Sequence, residues 1–158
     1  MYFLSWILAA ILLGAQAPAP DIDGTWKMIP DRSGSPTQSS PVNDMTLHVA
    51  CAGDTVRIQW ITGAEENKEL IYPVVAAPKP PADPMPAGES RAYWVGSKLV
   101  LERGGTINGQ TVSSKQSLTL DKEHNELTVE RLVIVQHGYT LKGTPNYATV
   151  TDVFTRDR

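Results

Sequence analysis

The sequence is short of cysteine, of basic clusters and of helical periodicity, and each shortage removes a class of protein. There is one cysteine, Cys51, so no disulfide framework can form within the chain. Lys and Arg number 14 against 17 Asp and Glu, for a net charge of -3. That balance leaves no electrostatic footprint for nucleic acid and no cluster that could grip an anionic membrane. No window carries apolar residues at i, i+3, i+4 and i+7 over three turns, which argues against a helical protein. Metal-ligand spacings such as Cys-x-x-Cys, His-x-His or His-Glu-x-x-His are missing, so neither a metal nor a cofactor is expected. There is no Gly-x-Ser-x-Gly elbow, and the three histidines fall in a strand (His48), a turn (His124) and a loop edge (His137). Gly104, Gly105 and Gly109 precede no Lys-Ser/Thr and no helix, so they form no phosphate loop. No catalytic residue is assigned.

What the chain does contain begins with its first twenty residues, which carry no charged side chain. The apolar run Tyr2 to Leu13 is followed by Gly14-Ala15-Gln16-Ala17, an Ala-x-Ala pattern that reads as a cleavable signal peptide over residues 1–17. Cleavage after Ala15 is the alternative, because Pro18 disfavours cutting after Ala17. An uncleaved anchor is the competing reading, but the stretch is short of the roughly 20 residues that a span requires. The mature part, 18–158, is then an exported domain of the periplasm or the extracellular space, large enough for one core.

From Asp21 onward, short stretches alternate with period two and are cut by turn residues, the pattern of an all-β barrel or sandwich. The predicted strands are Thr25 to Ile29, Met45 to Cys51, Thr55 to Ile61, Glu69 to Val75 (after an acidic turn at Glu65-Glu66-Asn67), Arg91 to Val95, Lys98 to Arg103, Thr111 to Leu120, Glu126 to Gln136 and Tyr147 to Arg156. Gly96-Ser97 suits a type II′ hairpin, and Gly104 to Gln110 reads as a turn containing Asn108-Gly109. Residues 76–89 hold Pro78, Pro80, Pro81, Pro84 and Pro86, a density that forbids a central strand. They read as an extended loop, with a recognition motif for a proline-binding module as the less favoured alternative. Nine strands, each near its predecessor in sequence, predict an antiparallel up-and-down meander of about 8–10 strands. Closure covers its apolar face and removes its edges together.

Several segments carry a family resemblance. Gly24-Thr25-Trp26 resembles the Gly-x-Trp that opens the first strand of lipocalins. Tyr93-Trp94-Val95-Gly96-Ser97-Lys98-Leu99-Val100 is similar to a strand pair of small exported bacterial lipocalin-like proteins. So are Leu118-Thr119-Leu120-Asp121 with Glu126-Leu127-Thr128-Val129, and the closing Asp152-Val153-Phe154-Thr155-Arg156. The turn after Asp121 departs from the pattern by lacking glycine, and so does the proline-rich segment. The resemblance implies a lipocalin-like barrel with an interior, and a barrel-closing role for Trp26 beneath a late basic side chain, for which Arg156 is the positional candidate.

The aromatics Trp60, Tyr72, Tyr93 and Trp94 are candidate wall residues of a pocket. Tyr93 and Trp94 must face opposite ways. Arg91 shares the face of Tyr93, and Arg131 the face of Leu127, Val129, Val133 and Val135, so either could anchor a ligand carboxylate. A filled interior is the equally weighted alternative. The leading function is a non-enzymatic binding protein for a small apolar or amphipathic molecule. The alternatives are an envelope interaction module with a filled barrel and, further off, a small barrel enzyme.

Overall fold

The computed structural model describes residues 19–34, 44–63, 65–66, 69–78, 85–123, 125–136 and 147–157. The signal-peptide assignment, His124, His137 and the middle of the proline-rich segment lie outside these residues. Among the described residues the chain forms ten strands and one short 3-10 helix. The strands are β1 (Gly24–Met28), β2 (Met45–Ala52), β3 (Thr55–Thr62), β4 (Glu65–Glu66), β5 (Leu70–Pro73), β6 (Ser90–Val95), β7 (Lys98–Ile107), β8 (Gln110–Asp121), β9 (Glu126–Gln136) and β10 (Tyr147–Arg156), with the 3-10 turn at Pro30–Arg32.

The sheet runs β4-β3-β2-β1-β10-β9-β8-β7-β6, and β5 pairs with β3. β1 bonds to β2 on one side and β10 on the other, so the two ends of the domain close one seam of the barrel. The opposite seam is thinner. Val74 forms a single parallel bridge to Ala92, with Val75 N–H donating to the Ala92 carbonyl at 2.8 Å. The result is an all-β, antiparallel, nearly closed barrel, with two isolated parallel bridges among the described residues, Val74 to Ala92 and Ala87 to Gly104.

Alternation decides what points inward. Trp26, Leu47, Val49, Ile58, Leu99, Leu101, Leu118, Leu127, Val129 and Phe154 form one buried cluster. Register ties them together: Leu47 opposes Trp60, Leu118 opposes Val129, and Phe154 opposes both Leu127 and Met28.

Two local readings are corrected and a third is explained. The turn expected over Gly104 to Gln110 is narrower, because β7 runs on to Ile107 and reverses at Asn108-Gly109, both at positive φ as an Asn-Gly hairpin turn requires. Gly104 is a strand residue, and its missing side chain serves a close approach. A Cβ there would lie 1.8 Å from the Pro86 carbonyl oxygen. Glu65-Glu66 is not part of a turn but pairs with Ile61 and Thr62, after Gly63 has turned the chain at φ 63°. In the β8–β9 turn, Asn125 takes the left-handed position at φ 53° and Asp121 accepts from the Glu123 N–H at 3.0 Å, which explains how that turn forms without glycine.

Candidate functional site

The two ends of the barrel are built differently. At one end Trp26 is wholly buried, and its Nε1–H donates to the Ile22 carbonyl at 3.0 Å. The Arg156 guanidinium lies 4.5 Å from the centre of that ring. Its Nη1 and Nη2 donate to the carbonyls of Asp23 and Asp21, each at 2.8 Å. Gly24, at φ +131°, allows the approach, since a Cβ there would already stand 3.4 Å from Arg156 Nη1. Among the described residues this end is closed by the buried Trp26 ring and its stacked guanidinium, and Trp26 Nε1 and both Arg156 Nη atoms are paired.

At the other end β2, β3, β5, β8 and β9 enclose an open cleft of about 460 Å3, within the range of small-molecule sites. Met45, Trp60 and Leu70 supply its apolar wall; Thr62, Ser114, Gln116 and Arg131 supply the polar one. Alternation explains the mixture. Gln116 and Arg131 face each other across β8 and β9 on the inner side of the sheet. The Arg131 guanidinium lies 4.8 Å from the centre of the Trp60 ring, which itself tilts against Phe154 at 6.1 Å. Arg131 Nη2 is 3.6 Å from Asp152 Oδ2, too long for a hydrogen bond but close enough for an ion pair. Burial raises the Asp152 carboxyl above its ordinary range, with Arg131 working in the opposite direction. Arg131 Nε and Gln116 Oε1 are both buried and have no hydrogen-bond partner among the described residues. Leaving such atoms unpaired costs about 1–3 kcal/mol each.

Tyr72 is also inward and buried, against Val56 and beside Arg103, on the wall of a smaller neighbouring cleft of about 260 Å3 at the thin seam. Burial raises its phenol above the usual range. Trp94 faces inward as well, but it packs against the core next to Leu99, toward the filled end. Arg91 and Tyr93 lie on the opposite face of the sheet, away from the cleft. There Glu102, only 8% exposed, accepts from Arg91 Nε at 2.6 Å and from the Tyr93 hydroxyl at 2.9 Å. Burial and that carboxylate push the Tyr93 phenol up to about 12. Outward Glu102 gives this Arg–Tyr pair its partner, and that partner sits on β7, eleven residues from Arg91.

Gln116, which lines the cleft, and Asp152, which stands behind it beside Arg131, are residues that sequence reasoning did not single out as site residues. Their signal is inward parity, since each alternates with inward apolar neighbours, Phe154 and Leu118. Cys51 is half-buried at the edge of the core, and burial with the nearby Asp23 carboxylate pushes its thiol up to about 12, so it carries no thiolate at neutral pH.

Fold and cleft together define a small antiparallel β-barrel with one filled end and one open, amphipathic end. No protein-family model matches the sequence, and no curated protein matches it. Solved structures that are similar in fold include the fluorescent protein UnaG, at 16% identity and a TM-score of 0.49, covering 86% of this chain and 97% of that one. A zebrafish ileal bile acid-binding protein complexed with cholic acid matches at 8% identity and a TM-score of 0.45, covering 85% of this chain and 98% of that one. The REP1-NXSQ fatty acid transporter matches at 9% and 0.40, over 87% and 97%. At these identities and scores the likeness concerns the barrel and carries nothing about ligand or activity.

Proposed function

We propose that this chain is a non-enzymatic binding protein that takes one small amphipathic molecule into the open end of its barrel, and that it does so after export. The observation that carries the reading is the pair of buried, unpartnered polar atoms, Arg131 Nε and Gln116 Oε1, at the wall of a cleft whose remaining surface is partly apolar. Buried polar groups are ordinarily paired, and a ligand head supplies what the described residues do not. Its apolar part lies against Trp60, Met45 and Leu70. Burying each methylene there contributes about 0.8 kcal/mol. Export rests on the charge-free run and Ala-x-Ala pattern of residues 1–17. N-terminal sequencing of the secreted or periplasmic protein tests it, with a start at Pro18 or Gln16 expected and an intact Met1 contradicting it.

Trp60 makes binding measurable. Titration with amphipathic molecules of eight to sixteen carbons is expected to change the tryptophan emission saturably at one-to-one stoichiometry. Trp60→Phe is expected to abolish most of the change while leaving the fold intact. A flat response from a cooperatively folded protein across the series contradicts the reading. It favours instead the barrel as an interaction module.

A further inference from the structure

We propose that the head group held in the cleft is a neutral one that both donates and accepts hydrogen bonds, of the primary-amide or lactam class, and not a free carboxylate. This rests on the ligand-binding reading above and narrows it.

The first support is charge. An inward arginine at the mouth of a barrel invites an anion, but here Asp152, only 3% exposed, already stands 3.6 Å from the Arg131 guanidinium. The two together make a site of no net charge. A ligand carboxylate placed beside them adds a second buried negative charge, and removing it from water costs more than a shared cation returns. Among the described residues the ionisable groups nearest to this pair are Glu69, Tyr72 and Arg103, all on the wall of the neighbouring cleft. The exposed Arg103 side chain is screened by water and contributes little to the cleft.

The second support is hydrogen-bond polarity. Arg131 Nε–H is a donor that needs an acceptor, and Gln116 Oε1 is an acceptor that needs a donor. They belong to residues directly opposed on β8 and β9, so one planar group can reach both. An amide carbonyl and its N–H satisfy the two at once. A carboxylate offers only acceptors: it pairs with the Arg131 Nε–H, but it meets Gln116 only if that amide turns its Nε2 toward the cleft. The Trp60 ring under the guanidinium holds the plane of Arg131, and with it the direction of the Nε–H bond.

The test is isothermal titration of the purified protein at neutral pH with dodecanamide, dodecanoate and dodecanol, all below their aggregation concentrations. Dodecanamide is expected to bind about tenfold tighter than dodecanoate, the size of one buried hydrogen bond. Gln116→Leu is expected to erase the advantage of the amide over the alcohol while keeping alkyl-chain binding. Asp152→Asn, which leaves the Arg131 charge unmatched, is expected to move the preference toward dodecanoate. Circular-dichroism melts establish that each variant is folded. Dodecanoate binding as tightly as the amide in the unaltered protein overturns the neutral-head inference and leaves the binding reading standing. Binding of none of the three overturns both.

Discussion

Among the described residues the barrel contains two arginine-on-tryptophan stacks of nearly the same spacing, Arg156 over Trp26 at 4.5 Å and Arg131 over Trp60 at 4.8 Å. They differ in everything around them. Arg156 spends its guanidinium on two backbone carbonyls, and Trp26 gives its N–H to a third. Arg131 faces a buried carboxylate at ion-pair distance, and its Nε meets no acceptor among the described residues. The same chemical pair therefore locks one end and leaves the other incomplete. A buried group fully paired within the chain adds to stability. One left unpaired costs stability, and under the proposed function it is where a ligand completes the bonding.

The largest expected effect separates the two tryptophans. Trp26→Ala is expected to cost about 3–5 kcal/mol in denaturant unfolding, because it empties a fully buried site. Trp60→Ala, at the half-buried mouth, is expected to cost less than half as much. Equal losses would make the mouth as structural as the closed end and break the comparison. Next comes Gly104→Ala. Its Cβ would collide with the backbone of Pro86, so a loss of about 1–3 kcal/mol is expected, with faster proteolysis in the segment 85–89. A neutral Gly105→Ala, where a Cβ meets nothing within 4 Å, is the matching control.

An alkaline titration sharpens the contrast between faces of the sheet. The folded Tyr93 phenol is held up to about 12, whereas the unfolded chain releases that proton near 10. The unfolded state then binds fewer protons, so stability is present below pH 10 and is lost as pH rises toward 12. Unfolding midpoints measured across that window should fall, and less steeply in Tyr93→Phe. The smallest expected effect is at the mouth. Gln116→Leu removes an unpaired buried acceptor, and stability should stay within about 1 kcal/mol of the unaltered protein or rise slightly. A large loss there would show that Gln116 is a structural residue.

Nine of the ten described strands, much of the inward set and the closed class of the fold were legible because alternation and turn residues report them directly; the two-residue strand Glu65–Glu66 is too short to alternate. Leu47-Val49-Cys51 and Val56-Ile58-Trp60 share the inner face on nothing more than period two. Alternation states that Arg91 and Tyr93 share a face but not which face. The Gly96-Ser97 hairpin sets Glu102 directly opposite Arg91, so the partner of the pair is readable from the hairpin register although the face is not. Gly104 looked like a turn residue because glycine marks turns and close backbone approaches equally, and only the position of Pro86 distinguishes them. Asp152 and Gln116 went unnoticed for a related reason. A polar residue on an inward position of a barrel strand has the same local sequence signature as one facing water. Arg131 and Trp60 lie 71 positions apart in sequence on strands that are not neighbours in the sheet, so only the closed barrel brings them together.

The most direct test of the two-ended account is amide chemical-shift mapping of the labelled protein during addition of dodecanamide. Shifts are predicted to concentrate at Met45, Thr62, Leu70, Ser114, Gln116 and Arg131, with Ile22, Trp26 and Leu99 unmoved. Shifts centred on the Trp26 end, or on the outer face around Glu102, would contradict it.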